Sequence, residues 1–96
     1  MLFHLTTRGE WDLARAAGEY RAPSLAREGF IHLSTEIQWR RTWQRFYRDV
    51  QDLVLLHIDP SRLVTEVRYE PADGDEFPHL YGVLPIAAVV AVTDVA

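Results

Sequence analysis

The segment Leu53–Ile58 constrains the fold most, because all but one of its six residues are apolar. A strand that is apolar on both faces is typical of the centre of a sheet that is covered on two sides. The chain of 96 residues is long enough for one hydrophobic core but not for a second domain. The sequence therefore predicts a single domain over residues 1–96, built around one central strand.

Strand-like and helix-like segments alternate in the first half of the chain, and the second half is mainly strand-like. Thr7 and Glu10 have the spacing of a capping box, which predicts a helix to about Ala17, followed by a polar loop at residues 19–24. Thr35 and Gln38 form a second such pair and predict a helix to about residue 47. Strands are predicted at residues 2–6, 30–33, 53–58, 64–70 and 89–95, with a rigid aromatic segment at residues 77–82. Together these elements predict an α+β fold with five or six mixed strands and two helices.

The charge and the missing residue types exclude several classes of function. The chain has 10 basic and 14 acidic residues and a net charge of −4, which disfavours a nucleic-acid binder that works by electrostatic attraction. The absence of cysteine excludes disulfides and thiolate metal sites, and the absence of lysine excludes Schiff-base and P-loop lysines. No apolar run approaches the roughly 18 residues that cross a bilayer, and the first residues lack the features of a secretory signal. We therefore expect no membrane partner and a cytoplasmic location.

Three extended segments each carry a histidine with a hydroxyl group two residues later. Because residues i and i+2 of a strand share a face, both side chains of each pair point the same way. The pairs are His4 with Thr6, His32 with Ser34, and His79 with Tyr81. A turn at Ser34 and Thr35 that opens a helix would also present backbone N–H groups to an anion. We expect His4 and His32 to lie on strands that line one cleft.

Each of these residues also has a structural interpretation. A histidine in a strand is often a hydrogen-bonded structural residue, and this is our interpretation of His57. Ser34 and Thr35 are explained by helix capping alone, and Tyr81 by packing in the core. Three histidines and a water are a pattern of catalytic zinc sites. However, no carboxylate lies within two residues of His4 or His32 along the chain, so no metal is expected.

Four stretches of the chain together resemble the small bacterial family called domain of unknown function 952. They lie at residues 3–7, 29–35, 52–59 and 77–85. The sharpest are Gly-Phe-Ile-His-Leu-Ser at residues 29–34 and Phe-Pro-His-Leu-Tyr-Gly at residues 77–82. The resemblance extends from residue 2 to about residue 93.

The family is remotely similar to the ADP-ribosyltransferase fold, a split and twisted β-structure that binds NAD in a cleft. His4 and Thr6 match the His and the Thr of the first conserved strand of that fold, with Leu5 at the usual glycine position. His32 lies where the second conserved strand commonly has an aromatic residue. His79, with Glu76 three residues earlier, lies where a Glu or Gln is usual.

The resemblance implies an NAD-dependent transferase or glycohydrolase that acts on a small-molecule or nucleotide ligand. It gives catalytic roles to His32 and His79. It gives cofactor-binding roles to His4, Thr6, Ser34, Thr35 and Tyr81. A non-catalytic module that binds a nucleotide or another small ligand is the alternative, because the usual acidic residue is missing, and a histidine-based metalloenzyme is a further one. The acceptor substrate and the oligomeric state stay open.

Overall fold

The central strand predicted at residues 53–58 forms the middle of a three-stranded antiparallel sheet. In the computed structural model, which describes residues 1–95, β4 (Leu53–Ile58) lies between β1 (Leu2–Thr7) and β8 (Val89–Asp94). One face of β4 carries three side chains with no exposed surface, Val54, Leu56 and Ile58. The other face belongs to a smaller apolar cluster, which packs against the indole rings of Trp39 and Trp43. Both faces of β4 are thus covered, and the prediction of a central strand is confirmed.

A second antiparallel sheet lies beside the first, and a backbone bridge joins the two. It contains β3 (Ile31–His32), β5 (Val67–Ala72) and β6 (Asp75–Leu80), in the order β3-β6-β5. Phe3 and Ser34 exchange two backbone hydrogen bonds of 2.8 Å. These bonds connect β1 to the residues that follow β3, so the two sheets are held side by side.

The first helix forms where the capping box predicts it. The Thr7 hydroxyl accepts a hydrogen bond from the Glu10 N–H at 3.2 Å, and α1 (Arg8–Ala17) follows. The helix ends at Gly18, whose φ of 90° lies in the left-handed region that glycine adopts without steric cost. No helix among residues 1–95 is long and apolar enough to span a membrane.

The structure corrects the number of elements and the pairing of the strands. Residues 1–95 form eight strands rather than five or six, and every pairing among them is antiparallel rather than mixed. Two of the additional strands, β2 (Glu19–Tyr20) and β7 (Leu84–Pro85), pair with each other and are too short to show an alternating pattern. There are three helices rather than two, since α2 (Pro23–Glu28) lies partly in the predicted loop. Its N-cap residue, Ala22, has no side chain that could indicate a helix start.

The third helix, α3 (Trp39–Phe46), begins later than the sequence predicts. Gln38 accepts a hydrogen bond from the Thr35 N–H at 3.0 Å, which is one half of the predicted capping box. The amide group of the same side chain donates to the Asp75 carboxylate at 3.0 Å and to the Glu76 carbonyl at 2.7 Å. Gln38 therefore ties the turn before α3 to β6, and the helix starts after this turn.

Gly82 lies just after β6 and packs closely against Thr65, so the single methyl group of an alanine at this position tests that packing. A Cβ at this position would lie 2.5 Å from the Thr65 hydroxyl oxygen and 2.8 Å from the Thr65 Cβ. A β-branched side chain such as Thr65 has little rotamer freedom with which to move away. We expect Gly82→Ala to lower the free energy of unfolding by about 1–3 kcal/mol, as measured by urea denaturation.

Gly9 provides the matched control for this substitution. It lies within α1, and a Cβ there meets no atom within 4 Å. Gly9→Ala should therefore raise the free energy of unfolding by about 0.5–1 kcal/mol through helix propensity. A Gly82→Ala protein as stable as the wild type would show that residues 65 and 82 move apart at no cost.

Candidate functional site

Two adjoining cavities form a cleft beside the bridge between the two sheets. The smaller cavity has a volume of about 280 Å³ and the larger one of about 430 Å³. Four residues line both of them: His4, Leu5, His32 and Tyr47. The structure thus places His4 of β1 and His32 of β3 at one cleft, which is the arrangement expected from the sequence.

A chain of polar contacts runs along the wall of the smaller cavity. The Nδ1 of His4 lies 2.6 Å from the backbone oxygen of His32, and its Nε2 lies 2.8 Å from the Tyr20 hydroxyl. That hydroxyl lies 3.2 Å from the Thr6 hydroxyl, which donates to the Glu10 carboxylate at 3.3 Å. His4 and Tyr20 are buried, whereas Glu10 is exposed. The chain therefore connects a buried imidazole to a carboxylate at the surface.

Burial fixes the protonation of this chain. It lowers the pKa of His4 to about 4, so the ring is neutral at pH 7. The His32 carbonyl only accepts hydrogen bonds, so Nδ1 carries the proton and Nε2 carries the lone pair. Burial also raises the pKa of Tyr20 to about 12. The Tyr20 hydroxyl, which stays protonated, directs its one proton mainly to Nε2, the nearer of its two neighbours. Its contact with the Thr6 hydroxyl, whose own proton goes to Glu10, is therefore the weakest of the series.

Charged groups also line the smaller cavity. The carboxylates are those of Glu10 and Glu28, and the cation is Arg27. The Nε2 of His32 lies 2.9 Å from the Glu28 carboxylate, and this hydrogen bond lowers the pKa of Glu28. Glu28 is thus ionised and paired with His32, while Glu10 contacts the Thr6 hydroxyl.

The larger cavity is more apolar and includes Ser34. Its apolar lining includes Leu33, Phe46 and Phe77. The Ser34 N–H donates to the Phe3 carbonyl, and the Thr35 N–H donates to the Gln38 side chain. Neither of these two N–H groups is therefore free to bind an anion. Thr35 itself is not among the residues that line the two cavities.

A second polar cluster lies beside the cleft, on the face of the second sheet that carries His32 and its strand partner His79. The Glu70 carboxylate accepts hydrogen bonds from His79 Nδ1 at 2.8 Å and from the Tyr81 hydroxyl at 2.5 Å. The Phe30 ring stacks on the His79 ring with their centroids 4.1 Å apart. The His32 and His79 rings meet edge to face at 5.1 Å. We call Phe30, Glu70, His79 and Tyr81 the outer cluster.

The predicted site residues therefore fall into two groups that meet at His32. His4 and Thr6 lie at the smaller cavity and Ser34 at the larger one, whereas His79 and Tyr81 lie in the outer cluster. The Nε2 of His57 is 2.9 Å from the Thr93 hydroxyl of the neighbouring strand, which agrees with its structural interpretation. No group of three or more His, Asp or Glu side chains suited to hold a metal ion occurs within the described part of the chain.

Sequence reasoning missed four polar residues of the site, Glu10, Tyr20, Glu28 and Glu70. Glu10 was assigned to helix capping, and Tyr20 lay in a segment predicted to be a loop. Glu70 lies at the end of the strand predicted at residues 64–70, and nothing in that prediction showed that it pairs with His79. Glu76, which the sequence offered as the acidic neighbour of His79, is exposed, and Glu70 takes that place.

Comparison with known proteins identifies the family. The family model described as Protein of unknown function (DUF952) matches residues 5–92. The chain belongs to the DUF952 family. The crystal structure of protein CC0527 from Caulobacter crescentus is 32% identical, with a TM-score of 0.90 over 99% of this chain and 85% of that chain. Its solution NMR structure is 33% identical, with a TM-score of 0.82 over 97% of this chain and 82% of that chain.

These matches confirm the resemblance that the four stretches indicate, and they establish the α+β fold with several antiparallel sheets. No curated protein matches the sequence significantly. The similarity of this DUF952 protein to the ADP-ribosyltransferase fold stays a prediction, as do the roles that this similarity implies.

The buried His4 makes stability depend on pH. Its pKa is about 4 in the folded protein against 6.5 for an unperturbed histidine. Between these values the unfolded chain binds more protons than the folded one, so stability is lost as the pH falls from 6.5 to about 4. We expect this group to lower the free energy of unfolding by roughly 3 kcal/mol across that range, as measured by urea denaturation at a series of pH values.

Two histidine variants isolate this contribution. His4→Gln should lose the part of the pH dependence that lies between the two pKa values. His57→Gln should retain it, because the ring of His57 is partly exposed and bonds to Thr93 across the sheet edge. Parallel stability curves for the wild type and His4→Gln would contradict a neutral, buried His4.

Proposed function

We propose that this DUF952 protein binds NAD in the cleft beside its two sheets and acts as an NAD-dependent transferase or glycohydrolase. The observation that carries the proposal is the chain of polar contacts from His4 through Tyr20 and Thr6 to Glu10, all of which line the smaller cavity. It places two hydroxyl groups and a carboxylate on the wall of a cleft of the size typical of small-molecule sites, which is about 300–1,000 Å³.

The carboxylates of the smaller cavity suit cleavage of the bond between nicotinamide and ribose. When NAD is bound, it supplies a glycosidic bond whose breakage develops positive charge on the ribose. Glu10 and Glu28 line one cavity, so their negative charges would stabilise that charge as it forms. Glu28 is held in its ionised form by the hydrogen bond with His32, which lowers its pKa.

The other residues of the cleft suit the remaining parts of a dinucleotide. Arg27 offers a cation to phosphate groups, and the apolar lining of the larger cavity offers a surface to a planar base. Both nitrogens of His4 are hydrogen-bonded within the protein. A direct bond from His4 to the ribose therefore requires the ligand to replace the Tyr20 hydroxyl. We assign His4 the role of holding that hydroxyl in place.

The internal hydrogen bonds of His4 also favour a second candidate function, a non-catalytic module that binds a nucleotide or another small ligand. A ring with both nitrogens occupied shapes the cleft but takes no proton from a ligand. The two functions differ in one outcome. NAD binding without release of nicotinamide would favour the binding module.

Thermal unfolding with and without NAD tests the binding. A ligand at 100 times its dissociation constant that binds only the folded state raises stability by about 2.7 kcal/mol. For a domain of this size, that gain corresponds to a rise in Tm of roughly 10–20 °C. Nicotinamide release, followed by chromatography, then tests for catalysis. No change in Tm with NAD or with ADP-ribose would overturn the proposal.

A pair of variants on α1 tests the role of the carboxylates. Glu10 is exposed and lines the smaller cavity, so Glu10→Gln should fold normally and lower the rate of nicotinamide release by roughly 100-fold. Asp12 lies on the same helix, is also exposed and pairs with Arg15 away from the cavity lining. Asp12→Asn should leave the rate unchanged. Equal rates for both variants would exclude Glu10 from the reaction.

A further inference from the structure

His79 has a buried nitrogen atom with no partner. Only 4% of this residue is exposed, and its Nε2 forms no hydrogen bond with any residue between 1 and 95. Buried polar atoms in proteins are nearly always hydrogen-bonded, because an unpaired one costs about 1–3 kcal/mol. An exception of this kind needs a specific cause, and a catalytic role is one of the recognised causes.

Glu70 determines which nitrogen of His79 carries the proton. Hydrogen bonds from His79 and from the Tyr81 hydroxyl both lower the pKa of Glu70, which is therefore an ionised acceptor. The Nδ1 of His79 must donate to it, so Nε2 is the nitrogen that is left to act as an acceptor. A carboxylate that holds Nδ1–H and leaves Nε2 free is the arrangement in which histidine acts as a general base.

Phe30 covers this base. Its ring stacks on His79 at 4.1 Å and is itself partly exposed. The backbone of Phe30 is held in place, because the Ser24 hydroxyl donates to its carbonyl at 2.8 Å. Rotation of the Phe30 side chain would therefore expose one face of the His79 ring without movement of the Phe30 backbone. The other charged or titratable groups nearby are His32, in contact with the His79 ring, Arg68, over the Tyr81 ring, and Glu28, bonded to His32.

We propose that Glu70 and His79 form a general-base pair that activates the hydroxyl group of an acceptor, water or an alcohol, which reaches Nε2 of His79 when the Phe30 side chain moves aside. The inference rests on the proposed function and adds to it the acceptor and the base. The acceptor proton passes to Nε2 of His79 while the acceptor oxygen bonds to the ribose carbon, and the bond from that carbon to nicotinamide breaks. His32, which lines the cleft and contacts the His79 ring, marks where the two sites meet.

Activity measurements with three variants test the pair. His79→Gln and Glu70→Gln should lower the rate of nicotinamide release by roughly 100-fold or more and leave the dissociation constant of NAD within about twofold. Glu76→Gln is the matched control, because Glu76 is exposed and lies three residues from His79, yet His79 bonds to Glu70 instead. Its rate should not change.

A measurement on the free protein tests the pair without NAD. Long-range ¹H–¹⁵N NMR should show His79 protonated at Nδ1 and not at Nε2. Phe30→Ala should make His79 react with diethyl pyrocarbonate, whereas His79 of the wild type should not react.

A proton on Nε2, or turnover retained by both His79→Gln and Glu70→Gln, would overturn the general-base proposal alone. Absence of NAD binding or of nicotinamide release would overturn the proposed function and the base role with it. If His79→Gln does not fold, the partly exposed Glu70 allows Glu70→Gln to decide.

Discussion

Two hydrogen bonds between Phe3 and Ser34 hold the two larger sheets together at the place where the cleft forms. His4 follows Phe3 along β1, and His32 precedes Ser34 by two residues, so the bridge fixes both histidines at the cleft. The bond from His4 Nδ1–H to the His32 carbonyl, at 2.6 Å, is a third link between the same two segments. Unpaired polar groups would be costly at this buried junction, so fold stability and cleft geometry depend on the same three bonds.

The fold could be predicted from the sequence where the signal is local. Leu53–Ile58 is apolar on both faces and lies at a sheet centre, and the Thr7–Glu10 capping box starts α1. The predictions failed where the signal is short or the partner is distant. Pro23–Glu28 forms a helix without a capping side chain. The start of α3 depends on a contact of Gln38 with residues nearly forty positions later.

The site could be predicted only in part, for the same reason. The positions of His4 and His32 follow from strand alternation, which places the buried Ile31 and Leu33 opposite the exposed His32. The groups that determine their chemistry come from elsewhere in the chain. Tyr20 reaches His4 from a strand of two residues, and no local sequence pattern predicts the hydrogen bond between them. Which hydrogen bonds a histidine makes is decided by register between strands, and this is a three-dimensional property.

The two buried histidines, His4 and His79, differ in the hydrogen-bond partners of their ring nitrogens. His4 has a carbonyl on one nitrogen and a hydroxyl on the other, so it is saturated and neutral and serves the shape of the cleft. His79 has a carboxylate on one nitrogen and, among residues 1–95, no partner on the other, so it is oriented but not saturated. His32 connects them, since its backbone oxygen holds His4 while its ring contacts His79. Because the first link uses a main-chain atom, replacing the His32 side chain leaves His4 anchored and alters the link to the outer cluster and the bond to Glu28.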